Sequence, residues 1–256
     1  MKKTFLLSCL MLAAMPVMAA YTGHVYVDKN KNGVFDQSEK PLAGIKVSDG
    51  LNVVETAADG SFTLPGHERE RFIFITTPSG YKTFNRHYHK IEKKQSGYDF
   101  GLIPYSGRIR KDGSHRYIHI TDTEIFNTEN HADWVNNVRD YARNEQAAFI
   151  IHTGDICYEK GLKAHIKLMN TENMDCPVFY CIGNHDLVKG KYGEELFESI
   201  YGPVYYSFDA GNVHYVVTPM PGGDHAPGYT SDDVCRWLKN DLAHIRPGTL
   251  SLIHIS

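Results

Sequence analysis

The chain has 256 residues, a formal charge of -3 and 22 % charged side chains. That length accommodates one large domain or two modest ones. The mild acidity argues against nucleic acid or a membrane surface as the main partner.

The first 20 residues, MKKTFLLSCLMLAAMPVMAA, carry two lysines, an apolar stretch and small residues at Ala19 and Ala20. This is the pattern of a cleaved secretory signal. The apolar run is too short to span a bilayer, and no later stretch is apolar enough. The expectation is therefore an exported protein, periplasmic or secreted, with no transmembrane segment after cleavage. Leu6-Leu7-Ser8-Cys9 resembles a lipoprotein cleavage box only faintly, because Cys9 precedes most of the apolar run. Cys157, Cys176, Cys181 and Cys235 remain after cleavage; four cysteines allow three pairings, which sequence does not separate. Export permits a disulfide, and buried free thiols are the default expectation.

Residues 21–104 read as all-β. Short runs such as HVYV, GIKVSD, SFTLP and FIFITT are separated by Gly, Pro, Asn and Asp, the texture of a small sandwich. Within it, Asp28 to Glu39 fits the spacing D-x-[DN]-x-[DN]-G-x5-E of a calcium loop. Asp28, Asn30, Asn32, the carbonyl of Val34, Asp36 and Glu39 would supply the ligands, and Gly33 the sharp turn. The flanks are strand-like rather than helical, so the loop resembles the calcium-binding B-type repeats of bacterial surface proteins. A polar Asn-Gly turn that needs no metal is the alternative. A structural calcium is the expectation.

From residue 105 strands and helices alternate. RYIHIT (116–121) is a strand and HADWVNNVRDYARNE (131–145) a helix, with Ala132, Val135, Val138 and Ala142 spaced by three and four. AAFIIHT, GLKAHIKLMN, CPVFYCI and YGEELFESIYG continue as strand, helix, strand and helix. VYYSFD and NVHYVVT flank Ala-Gly-Asn, a hairpin signal. SDDVCRWLKNDLAHI (231–245) is a last helix, with Ser231 expected as its N-cap. This order predicts an α/β layer with a largely parallel sheet.

In such sheets ligands bind beyond the carboxyl ends of the strands. Polar residues fall there three times running: Thr121-Asp122-Thr123-Glu124, Gly154-Asp155-Ile156-Cys157-Tyr158 and Gly183-Asn184-His185-Asp186. Neighbouring strands lie only about 5 Å apart, so these side chains can converge. Clustered acids need a positive partner, and oxygen ligands with a neutral amide suit hard or borderline cations such as Mg, Mn, Fe or Zn. Each motif alone could be an ordinary helix start or tight turn; the ordered set is what carries the signal.

TDTE, GDICY and GNHD in this order, followed by YGPVYYSFDAGNVHYVV, resemble the calcineurin-like metallophosphoesterase family over roughly residues 116–249. The β-region ahead resembles the N-terminal domain of some exported members. The resemblance implies a two-sheet αββα fold and an exported enzyme that hydrolyses phosphate mono- or diesters of small molecules or headgroups. The chemistry would use a hydroxide activated by two divalent or trivalent metal ions (Mn, Fe, Zn or Mg). It implies that Asp122 and Glu124 bind the first metal, that Asp155 bridges, and that Asn184 binds the second. His185 would be the catalytic histidine, with Asp186 orienting it. The family's first motif is usually Asp-x-His, and Glu124 departs from it: either the carboxylate ligates and favours a harder metal, or it does not reach and the first metal is weakly held. Tyr158 stands where one branch places a metal-bound tyrosinate.

The expected domains are a signal at 1–20, the β-sandwich at 21–104, the first part of a phosphoesterase domain at 105–249, and an unrelated tail at 250–256. Leu250 to Ser256 matches the translation of a widely used transposase sequencing adapter, and no Gly-His-x-His follows. The incomplete domain is expected to bind metal poorly, and His254 is set aside from the site. His119, His152 and His214 are expected in the core or beside the site. His87, His89, His115, His131 and His165 are expected at the surface, and His225, in the loop 219–229, beside the substrate. The alternative function is a calcium-stabilised surface-binding module with a non-catalytic phosphoesterase-like domain. A nucleotide-binding α/β domain is disfavoured by the lack of a Gly-rich phosphate loop.

Overall fold

A computed structural model describes residues 20–255 except 85, 96, 107 and 189. All but the last residue of the expected signal, and with it Cys9, lies outside the described residues.

Among the described residues nine strands occupy the first region: β1 (Tyr21–Val27), β2 (Lys40–Pro41), β3 (Lys46–Ser48), β4 (Val53–Glu55), β5 (Ser61–Leu64), β6 (Phe72–Ile75), β7 (Tyr81–Thr83), β8 (Tyr88–Lys90) and β9 (Phe100–Pro104). One sheet runs β2-β1-β9-β7, with β5 also pairing β1; the other runs β4-β3-β6-β8. They face each other over Val25, Val47, Leu64, Ile73, Ile75 and Leu102. β6, with sequence FIFI, is buried at every position. Ile73 and Ile75 enter the sandwich core, while Phe72 and Phe74 join a second core shared with the rest of the molecule. An uninterrupted apolar strand is what burial on both faces requires.

The second region is α/β, as expected. β10 (Tyr117–Ile120), α1 (Ala132–Asn144), β11 (Phe149–His152), α2 (Tyr158–Leu168) and β12 (Val178–Tyr180) are followed by a 3-10 turn at Asn184–Asp186. Then come α3 (Glu195–Tyr201), β13 (Tyr206–Ala210), β14 (Val213–Thr218), α4 (Ser231–Ala243) and β15 (Leu250–Ile255). β10, β11 and β12 form a parallel sheet. β13 and β14 form the expected hairpin, and β15 runs parallel to β14. The two sheets face each other through rings: Phe179 stacks on Phe208 with centroids 3.6 Å apart, and Phe149 meets Phe208 edge-on at 5.0 Å. α1 buries Val135 and Ala142 in a core on the other side of the parallel sheet.

The sandwich docks on the second sheet. Phe72, Phe74 and Tyr88 pack into the Phe149–Phe208–Trp237 core, and the Asp209 N–H donates to the Thr77 carbonyl at 2.8 Å. Buried polar groups cross the same seam. Thr76 Oγ1 lies 2.8 Å from Ser207 Oγ, and Ser207 donates to Asp241. His214 bridges Asp209 and Asp241, and Lys46 pairs with Asp209 at 3.2 Å. His214 is thus in the core, as expected.

Several local expectations are corrected. The N-cap of α4 is Thr230, not Ser231: its hydroxyl accepts from the Asp233 N–H, and Asp233 accepts from the Thr230 N–H in return, a reciprocal cap. α2 begins at Tyr158, ahead of the apolar pattern, and buries Gly161, Leu162, Ala164 and His165. His165 is therefore fully buried, with Nδ1 3.1 Å from the Tyr201 hydroxyl, rather than at the surface. His119 is exposed, on edge strand β10, and contacts Thr153 Oγ1 at 2.9 Å. All four described cysteines are free; Cys235 is exposed and the other three are buried.

The calcium-type loop closes on its own main chain. Asp28 is 1 % exposed and accepts from the Asn32 and Gly33 N–H groups at 3.2 and 2.9 Å. Glu39 accepts from Lys29 at 2.9 Å, and Asn30 donates to Asp36 at 3.0 Å. The Val34 side chain is exposed.

Candidate metal centre

Parallel pairing sets Ile120 beside His152 and His152 beside Tyr180. The three polar motifs therefore leave the sheet next to one another. The Asp122 N–H donates to the Gly154 carbonyl at 3.1 Å, and the His185 N–H donates to Asp155 Oδ1 at 3.2 Å. Two glycines make this approach feasible. A Cβ on Gly154, whose φ is +103°, would sit 2.7 Å from Gly183 Cα. A Cβ on Gly183 would sit 2.2 Å from the Asp155 nitrogen and Oδ1.

The backbone here is strained. Of the eight described non-glycine residues with positive φ, five are Asp122, Glu124, Asp155, Cys157 and Tyr158. Left-handed backbone is costly for residues with a Cβ and clusters at functional sites. His152 braces the first two motifs from below. Its Nδ1 accepts from the Gly154 N–H at 3.3 Å, so Nε2 carries the proton toward the Thr123 hydroxyl at 2.9 Å. Burial lowers its pKa to about 3, which keeps the ring neutral.

Asp186 has a different role from the one expected. It is fully buried and accepts from the main-chain N–H groups of Ile156, Cys157 and Gly183 at 3.3, 2.8 and 2.9 Å. It ties the second motif to the third and makes no described contact with the His185 ring. Burial raises its carboxyl pKa against the lowering effect of those N–H groups. The carboxylate on His185 is instead Asp224, from the loop 219–230, with Oδ2 3.0 Å from Nδ1. The Tyr158 hydroxyl lies 3.2 Å from the same nitrogen. An ionised carboxylate only accepts, so Nδ1 carries the proton and Nε2 is the open nitrogen. The bond to Asp224 raises the imidazole pKa against partial desolvation, with a further push from Asp155. Sequence reasoning singled out His225 in this loop and passed over Asp224; a carboxylate inside a Pro-Gly-rich loop was the available signal. His225 itself is exposed.

Burial first, then Glu124, Asp186, Asp155 and Asp224, push the Cys157 thiol up to about 11, so it stays protonated. These same acids concentrate negative charge around the strand ends. Among the described residues no Lys or Arg forms an ion pair with Asp122, Glu124 or Asp155. Half-exposed oxygens at strand ends, a neutral amide at Asn184 and no cationic partner fit a hard or borderline cation. Glu124 and Asp122 are exposed, and Asp155 and Asn184 are half-buried. Among the described residues, Asp122, Glu124 and Asp155 do not all three bring ligand atoms within 4.8 Å of one another, whereas Asp49, His67 and Glu70 do. That second trio is a turn brace. Asp49 already accepts from the Leu51 and Asn52 N–H groups, and Glu70 from the Tyr21 hydroxyl and the His67 N–H. A cavity of about 440 Å³ also lies away from the strand ends, at the sandwich junction, lined by Arg71, Glu198, Tyr205, Gly228, Tyr229 and Arg236 among others. Its arginines are paired with acids.

Residues 115–242 match the calcineurin-like phosphoesterase domain, and residues 29–104 match the domain described as the N terminal of calcineurin-like phosphoesterase. The chain belongs to the calcineurin-like phosphoesterase family, whose members are metal-dependent phosphoesterases. No curated protein matches it.

Proposed function

We propose that this protein hydrolyses phosphate monoesters or diesters of small molecules or headgroups at the ends of β10, β11 and β12. Asp122, Glu124, Asp155 and Asn184 hold two cations drawn from Mn, Fe, Zn and Mg. The reading is carried by the acidic oxygens on left-handed backbone, none of them paired with Lys or Arg among the described residues. Bound cations supply Lewis acidity and lower the pKa of water. The protein's own part is positional. Gly154 and Gly183 let two strand ends touch, Asp186 pins them, and the His185 N–H holds Asp155. His185, with Nδ1–H on Asp224, presents Nε2 to the leaving-group oxygen and delivers a proton as general acid.

The test is kinetic, on p-nitrophenyl phosphate and bis-p-nitrophenyl phosphate with each cation. Asp155→Asn is expected to lower kcat at least about 10³-fold through the loss of a metal ligand. His185→Ala is expected to lower it about 10²- to 10⁴-fold with KM little changed. Full kcat in His185→Ala sinks the acid role, and no cation-dependent turnover of either ester sinks the hydrolase reading.

Glu124 in place of a histidine, on an exposed side chain, favours a second reading: a calcium-stabilised surface-binding module without catalysis. Metal analysis separates the two, since two transition-metal equivalents support the enzyme and calcium alone the module. In both readings the loop Asp28–Glu39 takes calcium, supported by the buried carboxylates of Asp28 and Glu39. Unchanged melting on adding calcium would remove that assignment. The signal-like first 20 residues support a periplasmic or secreted location, which fractionation of the expressing cells checks. Among the described residues no helix is long and apolar enough to cross a membrane.

A further inference from the structure

We propose that Arg71, on the β-sandwich, is a positioning residue for the phosphoesterase site: through Glu194 it fixes the loop 219–230, whose Asp224 holds the His185 ring. The kinetic part of this inference rests on the hydrolase reading above; the geometric part does not.

The connection is continuous. Arg71 Nη2 lies 2.8 Å from Glu194 Oε1 and 2.9 Å from Glu198 Oε1, and its guanidinium sits 4.5 Å from the Tyr192 ring centroid. Glu194 is fully buried, so an uncompensated charge there would be costly and the arginine is needed. The two Glu194 oxygens accept from the Gly228 N–H at 3.1 and 2.9 Å. A Cβ on Gly228 would sit 2.9 Å from Arg71 Nη1 and 3.0 Å from Glu194 Oε1. Only glycine lets the loop come this close.

Further ties carry the restraint along the loop. The Gly193 N–H donates to the Ala226 carbonyl at 2.8 Å. A Cβ on Gly223 would meet the Asn184 carbonyl at 2.6 Å, and the Asp224 N–H donates to that carbonyl at 3.2 Å. The Tyr229 hydroxyl closes the base of the loop on the Met220 carbonyl at 2.6 Å. A Pro-Gly-rich loop has little structure of its own, so these ties decide where Asp224 stands. Lys46 makes a half-buried ion pair of the same seam, but with Asp209 on β13, and among the described residues no hydrogen bond or ion pair joins it to this loop.

The test uses five proteins: wild type, Asp224→Asn, the double variant Arg71→Met/Glu194→Gln, that double variant with Asp224→Asn added, and Lys46→Met. The double variant removes both charges of the Arg71–Glu194 pair; Glu198 also loses its arginine but keeps the hydrogen bond from the Tyr192 hydroxyl at 3.1 Å. Asp224→Asn changes an exposed side chain. Two readouts need no activity: amide hydrogen exchange over residues 223–230 and the ring ¹⁵N signals of His185, which report its tautomer. The double variant is expected to speed exchange about tenfold or more and to move the His185 signals in the direction that Asp224→Asn moves them. It is also expected to lower kcat for p-nitrophenyl phosphate about tenfold, with KM within about twofold. Adding Asp224→Asn to it gives no further loss beyond Asp224→Asn alone, because both act on one element. Lys46→Met leaves loop exchange and ring signals at wild-type values. The proposal is overturned if the double variant leaves the ring signals unmoved while Asp224→Asn shifts them, or if Lys46→Met loosens the loop equally. Should wild type hydrolyse neither ester, the hydrolase reading fails, while exchange and ring signals still decide the strut.

Discussion

The acidic loop after β1 and the turns after β10, β11 and β12 both gather carboxylate and amide oxygens, but their partners come from different distances along the chain. In the loop, Asp28 accepts from N–H groups four and five residues on, and Glu39 from one ten residues back. At the strand ends, Asp186 accepts from N–H groups 29 and 30 residues back, and His185 meets Asp224 39 residues on. The first arrangement can form from a dozen residues. The second exists only when the parallel sheet, the loop 219–230 and the sandwich are all in place. Damage should therefore stay local in the first region and spread in the second.

The sharpest test of that difference is to remove one carboxylate from each. Asp186→Ala strands three buried N–H groups and is expected to cost about 3–5 kcal/mol, read from denaturant melts. Asp36→Ala removes a half-buried side chain whose partners are Asn30 and Ser38. It is expected to leave the melting midpoint in place without added metal. Equal destabilisation by the two would break the comparison.

This contrast also explains what sequence reasoning could reach. The spacing Asp28–Asn30–Asn32–Gly33–Asp36–Glu39 is a local pattern, and so are the ordered strand-end motifs, so both were visible. FIFI was visible as a strand but not as a strand buried on both faces, since most of its outer partners, Trp237 among them, come from the second region. Asp186 follows His185 directly, which suggests that the two pair. The 3-10 turn through Asn184–Asp186 instead sends the imidazole outward and the carboxylate inward. Asp224 has no fixed spacing from the motif it serves. Thr230 was missed as a cap although Thr-x-x-Asp was readable, because the serine beside it has the same chemistry.

The seam between the two regions gives the next test. Burial alone would lower the His214 pKa, but bonds to Asp209 and Asp241 outweigh it and push it up to about 9. The folded value lies above the ordinary one near 6.5. The stabilisation is therefore whole below about pH 6.5 and is lost as pH rises through about 9. For a ring this buried it is on the order of 3 kcal/mol. Melting temperature should fall between pH 6.5 and 9 in wild type and fall less in His214→Gln. A drop of the same size in the variant would remove the seam from the account.

The smallest expected effect is the one that isolates geometry from charge. Gly33 has φ +71°, so Gly33→Ala pays for left-handed backbone, about 1 kcal/mol. Gly183 has no such φ; its new Cβ would instead press on the Asp155 nitrogen and Oδ1 at 2.2 Å. That contact is main chain and cannot yield by a rotamer change, so Gly183→Ala is expected to cost about 1–3 kcal/mol and to part β11 from β12. The two losses should also differ in kind. Gly33→Ala should weaken calcium stabilisation and leave ester hydrolysis near wild type, because its neighbours are its own loop. Gly183→Ala should lower kcat together with stability, because Asp155 and His185 are held across that contact. If Gly183→Ala lost stability alone, with kcat of the folded fraction unchanged, the close approach of the two strands would be packing and not part of the site.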